Sequence, residues 1–175
     1  MNLIERLESY TRHANGEESA LSNLEIVNET ISNLDFSYYN LSNSYFGKVI
    51  FKNCDFSTVY LIESNFGGST FSKCILKENS LHKSNWNYIS FNDTEIYDAE
   101  ILHTSLMMGK FLRVQFHSCI FKNTIFDYSS FNCIDFIDCD FYDVSFKNCK
   151  FKNVLFNNCN ISDHSILDAE GIAVI

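Results

Sequence analysis

Residues 111–160 read FLRVQ FHSCI FKNTI FDYSS FNCID FIDCD FYDVS FKNCK FKNVL FNNCN, with phenylalanine at every fifth position. The register extends in both directions, and all thirty positions counted in fives from Leu21 to Ile166 hold Phe, Leu, Ile or Trp. All 17 phenylalanines of the chain lie in this class, where random placement would put about a fifth of them. A period of five matches neither a helix nor a strand, and it indicates a repeat architecture.

A second class of positions, two residues before each large residue, holds small side chains. From Ser44 to Cys159 there are 24 such positions, and 21 of them hold Ser, Thr, Cys, Val, Ala or Gly. The exceptions are Asn79, Ile89 and Ile134. Side chains two residues apart on an extended backbone point to the same side. Asn or Asp often follows two residues after the large one, as at Asn53 and Asn123, and both residue types favour turns. Each pentapeptide is therefore predicted to form a short extended edge followed by a corner.

This pattern resembles the pentapeptide-repeat family, whose repeat is a small residue, Asp or Asn, a central Leu or Phe, and two variable residues. Cys54-Asp55-Phe56 and Cys139-Asp140-Phe141 carry the resemblance, which covers about residues 21–166. It implies an all-β fold, a right-handed quadrilateral β-helix of about seven coils with twenty residues in each coil. Thirty pentapeptides would make a rod roughly 36 Å long at the usual strand spacing.

Both ends of such a rod expose strand edges, which are expected to be capped. Asn2 and Glu5 have the spacing of a capping box, and Leu3, Ile4 and Leu7 form an apolar stripe, so residues 2–12 are predicted to be a capping helix. We expect residues 1–20 to hold this helix and the segment leading into the rod, residues 21–166 the solenoid, and residues 167–175 a C-terminal cap or tail. The first coil is expected to be irregular, because three residues break the rule of small side chains. They are Leu24, Glu29 and Leu34.

Stacking residues twenty apart sorts the outward side chains into four faces, two of which have opposite charge. The face that we call the basic face has six cations against Asp93, for a net charge of +5. Its cations are Lys52, Lys73, Lys110, Arg113, Lys150 and Lys152. The face that we call the acidic face has seven acids against Lys77, for a net charge of −6. Its acids are Asp35, Asp55, Glu78, Glu95, Asp98, Asp135 and Asp138. Both are candidate binding faces, since like charges stacked within a Debye length repel.

An apolar patch is a third candidate contact surface. Tyr88, Met108 and Tyr128 occupy the same outward position in three successive coils, with Met107 and Ile125 beside them. Exposed apolar patches mark protein contacts, and methionine is common at adaptable ones. A patch covered by the protein's own tail, or simply tolerated, is the alternative.

Composition argues against several classes of function. The net charge of −9 disfavours direct binding to nucleic acid. No Cys-x-x-Cys pair or zinc-finger spacing occurs, and His82 and His103 have no cluster of further ligands, so we expect no metal, no cofactor, no catalytic residues and no enzymatic activity. The cysteines fit packing in a reduced compartment. Without a signal sequence or an apolar run long enough to span a membrane, a soluble cytoplasmic protein is expected.

The family resemblance implies a protein target. Its best characterised members, the Qnr and MfpA groups, act as acidic mimics of duplex DNA on DNA gyrase, and the ending Gly171-Ile172-Ala173-Val174-Ile175 looks like the Qnr tail. The chain has none of the loop insertions typical of Qnr, so two alternatives stay open. One is an interaction or immunity module that binds another protein such as a toxin. The other is a self-assembling structural rod, with a homodimer as the simplest assembly.

Overall fold

A computed structural model describes residues 1–17 and 22–162 together with the backbone of residues 172–174. The chain forms a short N-terminal helix, α1 (Leu3–Ala14), followed by a stack of short parallel strands. The strands are β1 Glu25–Val27, β2 Thr30–Ser32, β3 Tyr45–Gly47, β4 Ile50–Lys52, β5 Thr70–Ser72, β6 Ile75–Lys77, β7 Ser90–Asn92, β8 Glu95–Tyr97, β9 Glu100–Leu102, β10 Lys110–His117, β11 Ile120–Lys122, β12 Ser130–Ile137, β13 Asp140–Tyr142, β14 Lys150–Asn157, β15 Asn160–Ile161 and β16 Ile172–Val174.

Parallel pairing at a separation of twenty residues defines the solenoid. β10 pairs with β12 through Phe111↔Phe131, and β12 pairs with β14 through Phe131↔Phe151. The same separation joins the coils on all four sides, partly through isolated bridges. The fold is the predicted right-handed quadrilateral β-helix of about seven coils. We number the coils 1 to 7 in chain order: coil 1 covers residues 24–43, each next coil covers the following twenty residues, and coil 7 begins at residue 144.

The large central residues fill the rod, as predicted. Those from Ile26 to Phe146 are all buried, while Phe151 and Ile161 in coil 7 are partly buried. Rings twenty apart stack nearly parallel, as Phe116 and Phe136 do with centroids 4.8 Å apart and 12° between the planes. Rings on adjacent sides of a coil meet edge to face, as Phe136 and Phe141 do at 78°. Both geometries suit the charge distribution of aromatic rings.

The small inward residues satisfy the backbone at the corners. The Ser69 hydroxyl donates to the Phe46 carbonyl at 2.7 Å and accepts from the Val49 N–H at 2.8 Å. Short hydroxyls and thiols at this position therefore fill space and leave few buried polar groups unpaired. The three exceptions between Ser44 and Cys159 are all buried, and the Asn79 side-chain amide donates to two carbonyls.

The corners need a left-handed backbone. Every residue at the predicted corner position from Asn28 to Asn158 has a positive φ, except Tyr38. Asn and Asp adopt this conformation more readily than other residues with side chains, which explains their frequency at these positions. Coil 1 is less irregular than expected: it pairs with coil 2 in the regular register, and Tyr38 is its only unusual corner.

The ends of the rod differ. The predicted capping helix is confirmed and runs two residues longer than expected, to Ala14. Asn2 and Glu5 form the predicted capping box, and Leu7 and Tyr10 are buried in the core. At the other end, β16 lies on β14 with Val154 opposite Ile172, a separation of eighteen residues instead of twenty. Repeat positions 21 and 166 and most of the predicted tail, residues 167–175, lie outside the described residues.

Candidate functional site

The outward side chains form columns that run along the rod. Each pentapeptide presents one side chain before the central residue, one after it and one at the corner, and the twenty-residue register stacks equivalent side chains about 4.8 Å apart. The acidic, basic and apolar surfaces expected from the sequence are all assembled from such columns.

The acidic face holds its seven acids in two columns. Asp35, Asp55, Glu95 and Asp135 lie before the central residue, in a column that also contains Ile75 and Gln115. The corner column holds the other three acids, which are Glu78, Asp98 and Asp138. Five of the seven are exposed, while Asp55 and Asp135 are half-buried.

Several acids of this face also have local partners. The Asp55 carboxylate accepts from the backbone N–H and the hydroxyl of Ser57, and Asp35 accepts from the Ser37 N–H at 2.8 Å. Hydrogen bonds from Ser37 lower the pKa of Asp35. Two further carboxylates have partners within the face, since Tyr97 donates to Glu95 and Lys77 lies 3.4 Å from Glu78. Within residues 1–17 and 22–162, the carboxylates of Asp98 and Asp135 make no hydrogen bond or ion pair, so these two are placed to meet a partner.

All six cations of the basic face are exposed, but they do not all lie in its middle. Lys73 and Arg113 are corner residues, and this corner borders the acidic face. Arg113 makes a two-pronged ion pair with Asp93 in the coil below, with 2.9 Å between the Arg113 Nη2 and Asp93 Oδ2 atoms. The hydrogen bond from Arg113 holds the pKa of Asp93 below its usual value.

A groove of about 380 Å³ runs along this shared corner. The groove is lined by Asp93, Glu95, Arg113, Gln115, Cys133 and Asp135. The two charged faces therefore meet along one edge of the rod. The spacing of the sequence predicts the residues of both faces. It does not predict the ion pair between Arg113 and Asp93, because side-chain pairing between coils depends on rotamers that spacing does not determine.

The apolar patch lies along a different corner. Tyr88, Met108 and Tyr128 are stacked corner residues with exposed fractions of 62%, 42% and 56%. Ile125 is exposed beside them, whereas Met107 is half-buried. No described segment of the chain covers this column, which runs beside the basic face.

Six of the seven thiols lie at inward positions, and five of these form two stacked ladders. Cys54 and Cys74 are buried and stacked, and a hydrogen bond between them lowers the pKa of Cys54 and raises that of Cys74. Cys139 lies between Cys119 and Cys159, and its hydrogen bond with Cys119 raises its pKa to about 12. Cys133 is the exposed thiol of the seven, and all seven are free.

Among the described residues, the histidines and acids do not converge on a metal-binding geometry. The His82 and His103 rings stack with centroids 5.5 Å apart. Within residues 1–17 and 22–162, no group of three or more His, Cys, Asp or Glu side chains could hold a metal ion.

Two family models match the repeats. The model for pentapeptide repeats (8 copies) matches residues 40–77, and that for a pentapeptide repeat region matches residues 109–170. Together they cover more than half of the chain. The chain is a pentapeptide-repeat protein. No curated protein matches the sequence of this pentapeptide-repeat protein.

Solved structures resemble this pentapeptide-repeat protein in fold at low sequence identity. HetL, a pentapeptide repeat protein involved in heterocyst differentiation regulation in Nostoc sp. strain PCC 7120, is 12% identical over 97% of this chain and 94% of its own, with a TM-score of 0.39. QnrB1, a plasmid-mediated fluoroquinolone resistance protein, is 14% identical over 87% of this chain and 92% of its own, with a TM-score of 0.32. A putative glycosyl hydrolase from Parabacteroides merdae is 10% identical over 98% of this chain and 88% of its own, with a TM-score of 0.38.

A second groove in the pentapeptide-repeat protein was not expected from the sequence. It has a volume of about 490 Å³ and lies between α1 and coil 1, where Arg12, Tyr38 and Tyr39 line it. Tyr38 is 81% exposed at the one corner without a positive φ. The sequence feature that could have indicated this groove is the pair of adjacent residues Tyr38 and Tyr39, of which Tyr38 lies at a corner position. In the described part of the protein, no helix has the length and apolar character needed to cross a bilayer.

Proposed function

We propose that this pentapeptide-repeat protein is a non-enzymatic, cytoplasmic binding protein whose acidic face binds the DNA-binding surface of a type II topoisomerase. DNA gyrase is the first target to test. The observation that carries the proposal is the arrangement of seven acids in two columns along one face. Members of this family are typically structural or binding proteins, and the resemblance of residues 171–175 to the Qnr tail adds gyrase as the target.

The charge density of this face supports partial mimicry of a duplex. The acids lie in coils 1, 2, 3, 4 and 6, so five spacings of about 4.8 Å spread seven charges over about 24 Å. That is one charge per about 3.4 Å, or about half the density of duplex DNA. Coil 4 carries one acid in each of the two columns, Glu95 and Asp98. Coil 6 likewise carries Asp135 and Asp138. A cationic groove that binds the two phosphate backbones of a duplex would meet the highest density of acids at these two coils.

A gyrase supercoiling assay, titrated with the protein in the presence and absence of a fluoroquinolone, tests the proposal. We expect either inhibition of supercoiling or protection of the enzyme from the drug. The variant Asp135→Lys/Asp138→Lys should raise the concentration needed for half of the effect by at least about tenfold, because it reverses one complete coil of the acidic face.

The same coil supplies a matched control. Asp140 and Asp143 occupy the equivalent strand and corner positions on the next face, so Asp140→Lys/Asp143→Lys makes the same change in charge elsewhere on the rod. This control should keep the wild-type effect. Equal loss in both variants would show that net charge, not the acidic face, is responsible. No effect of the wild-type protein up to about 50 μM, a weak affinity for protein complexes, would reject gyrase as the target.

A second candidate function rests on the apolar patch. An exposed column of Tyr88, Met108 and Tyr128 is unusual on a rod whose other surfaces are mostly polar, and it suits a hydrophobic contact with a protein such as a toxin. In a pull-down from its native host, the variant Tyr88→Ser/Tyr128→Ser should lose a specific partner that Asp135→Lys/Asp138→Lys retains. The reverse pattern would assign that partner to the acidic face.

A further inference from the structure

The charges of the two charged faces are distributed differently along the rod. The basic face carries one cation in coil 2, one in coil 3, two in coil 5 and two in coil 7. The acidic face carries one acid in each of coils 1, 2 and 3, two in coil 4 and two in coil 6, and in coil 3 the acid is accompanied by Lys77. Apart from coil 3 of the acidic face, where Lys77 offsets Glu78, the two series have the same numbers, and the acidic series lies one coil closer to the N-terminal end.

The remaining coils follow the same offset. Coil 4 of the basic face carries Asp93, and coil 3 of the acidic face carries Lys77 beside Glu78. Coil 6 of the basic face and coil 5 of the acidic face have no Asp, Glu, Lys or Arg at their outward positions. Coils 2 to 7 of the basic face therefore have counterparts one coil lower on the acidic face, including the uncharged coil. The match is incomplete at one place, where Asp93 in coil 4 meets the neutral pair of Lys77 and Glu78.

We propose that the basic face of one copy docks on the acidic face of a second, parallel copy that is displaced by one coil, or about 4.8 Å. Lys52 then meets Asp35, and Lys73 meets Asp55. Higher up, Lys110 faces coil 4 of the acidic face, and the pair Lys150 and Lys152 faces coil 6. In the absence of the topoisomerase proposed above, the occupant of the acidic face is thus the basic face of a second copy of this chain, selected by charge complementarity.

Other arrangements of the same faces match less well. Without displacement, Lys150 and Lys152 meet an uncharged coil, and Asp93 meets the two acids of coil 4. An antiparallel arrangement matches the coils with two cations only when four coils overlap, with Lys150 and Lys152 opposite Glu95 and Asp98. That arrangement leaves the charges of coils 1 and 2 without counterparts.

The shape of the rod limits the size of the assembly. The two charged faces are adjacent sides of a four-sided coil, so each added copy is turned by about 90° and raised by one coil. After four such steps, a fifth copy would lie on the axis of the first copy. It would be displaced along that axis by only four coils, whereas each rod is about seven coils long. The fifth copy would therefore collide with the first, and growth stops at four chains. Heterologous contacts generally lead to rings or filaments, but this one is blocked by its small rise.

The contact is expected to be weak and sensitive to salt. One face is a narrow strip, and it buries less surface than the roughly 1,200–2,000 Å² of a stable complex. The cations are exposed, so salt screens their attraction to the acids. Charges consequently determine the register and partner choice more than the affinity.

Sedimentation velocity of the full chain tests the proposal at about 20 mM and about 500 mM NaCl, between which the Debye length falls from about 20 Å to about 4 Å. At low salt we expect reversible association that ends at four times the 20.3 kDa of one chain, and at high salt a monomer. Reversing the charge of one coil on either face should lower the association constant at least about tenfold. The two variants are Lys150→Glu/Lys152→Glu on the basic face and Asp135→Lys/Asp138→Lys on the acidic face.

Two combinations of variants then determine the geometry. A chain carrying both reversals should associate again, because its coil 7 cations and coil 6 acids have exchanged places. A chain that combines Lys150→Glu/Lys152→Glu with Glu95→Lys/Asp98→Lys should not recover, whereas the antiparallel arrangement requires that it does. An equimolar mixture of the two one-sided variants should associate with the chains alternating, up to four, whereas each variant alone should associate weakly. The intact acidic face of one variant fits the intact basic face of the other, and the two reversed faces fit each other.

Circular dichroism checks that every variant keeps the fold. A wild-type chain that stays monomeric at low salt, polymers without a limit, or recovery by the wrong combination would each overturn the proposal. No topoisomerase is present in these measurements, so their failure leaves the proposed function untouched, and failure of the gyrase assay leaves self-association untouched.

Discussion

Thr58 offers a direct test of the corner geometry. It is an exposed corner residue with φ of 61°, and its N–H donates to the Lys77 carbonyl at 2.6 Å. A left-handed backbone costs an ordinary residue about 1–2 kcal/mol, and a β-branched side chain tolerates it poorly. Asn relieves part of this cost and keeps the backbone donor. We expect Thr58→Asn to raise the free energy of unfolding by about 0.5–1 kcal/mol, and the midpoint temperature by about 1–3 °C.

Guanidinium denaturation followed by circular dichroism and by Trp86 fluorescence measures this change, and agreement of the two probes checks that unfolding is cooperative. The matched control is Thr70→Asn, where the same substitution falls within β5 at a residue without a positive φ. Asn is disfavoured in strands, so this control should lose about 0.5 kcal/mol. A Thr58→Asn protein no more stable than wild type, or a gain of equal size in the control, would refute the role assigned to the corners.

Three further predictions concern packing, reactivity and pH. Gly109→Ala should destabilise the fold by about 1–3 kcal/mol in chemical denaturation, because its Cβ would lie 2.8 Å from the Phe111 ring and 3.0 Å from a backbone oxygen, whereas Gly67→Ala should cost less. A maleimide at neutral pH should label the native protein at one fast site, seen by intact mass, and Cys133→Ser should remove that site. Because its ion pair lowers the pKa of Asp93, this carboxyl stabilises the fold above its unfolded pKa and loses that contribution as pH falls through its lower folded pKa. The stability difference between wild type and Arg113→Met should therefore be present at about pH 7 and should shrink as the pH falls below about 4, the usual pKa of an aspartate.

The interior of the rod could be predicted from the sequence almost residue by residue. A large apolar central residue recurs at every fifth position, and a small residue precedes most of them by two positions. A register shifted by one residue would disrupt both patterns at once. The helix could be predicted from Asn2 and Glu5 because a capping box is a local signal. The predicted helix ended two residues before the observed one, because the sequence specifies helix ends only weakly.

The surface was only partly predictable. Columns follow from the twenty-residue coil, so the membership of both charged faces could be written down in advance. The ion pair between Arg113 and Asp93 and the groove beside α1 depend on rotamers and on the packing of the helix, which the repeat does not encode. The return of the chain at β16, two residues short of a full coil, could not be predicted because residues beyond the last repeat carry no periodic signal.

A coil of twenty residues built from units of five separates the rules for the interior from the rules for the exterior. Loss or duplication of five residues keeps every downstream Phe and Leu inside, yet it carries all later side chains round to the neighbouring face. Loss of twenty residues shortens the rod and leaves each column in place. Genetic slippage of one unit could thus break an acidic column in half without weakening the core, while slippage of four units would preserve it. A lineage of such rods could change its targets through the lengths of its insertions as readily as through point substitutions.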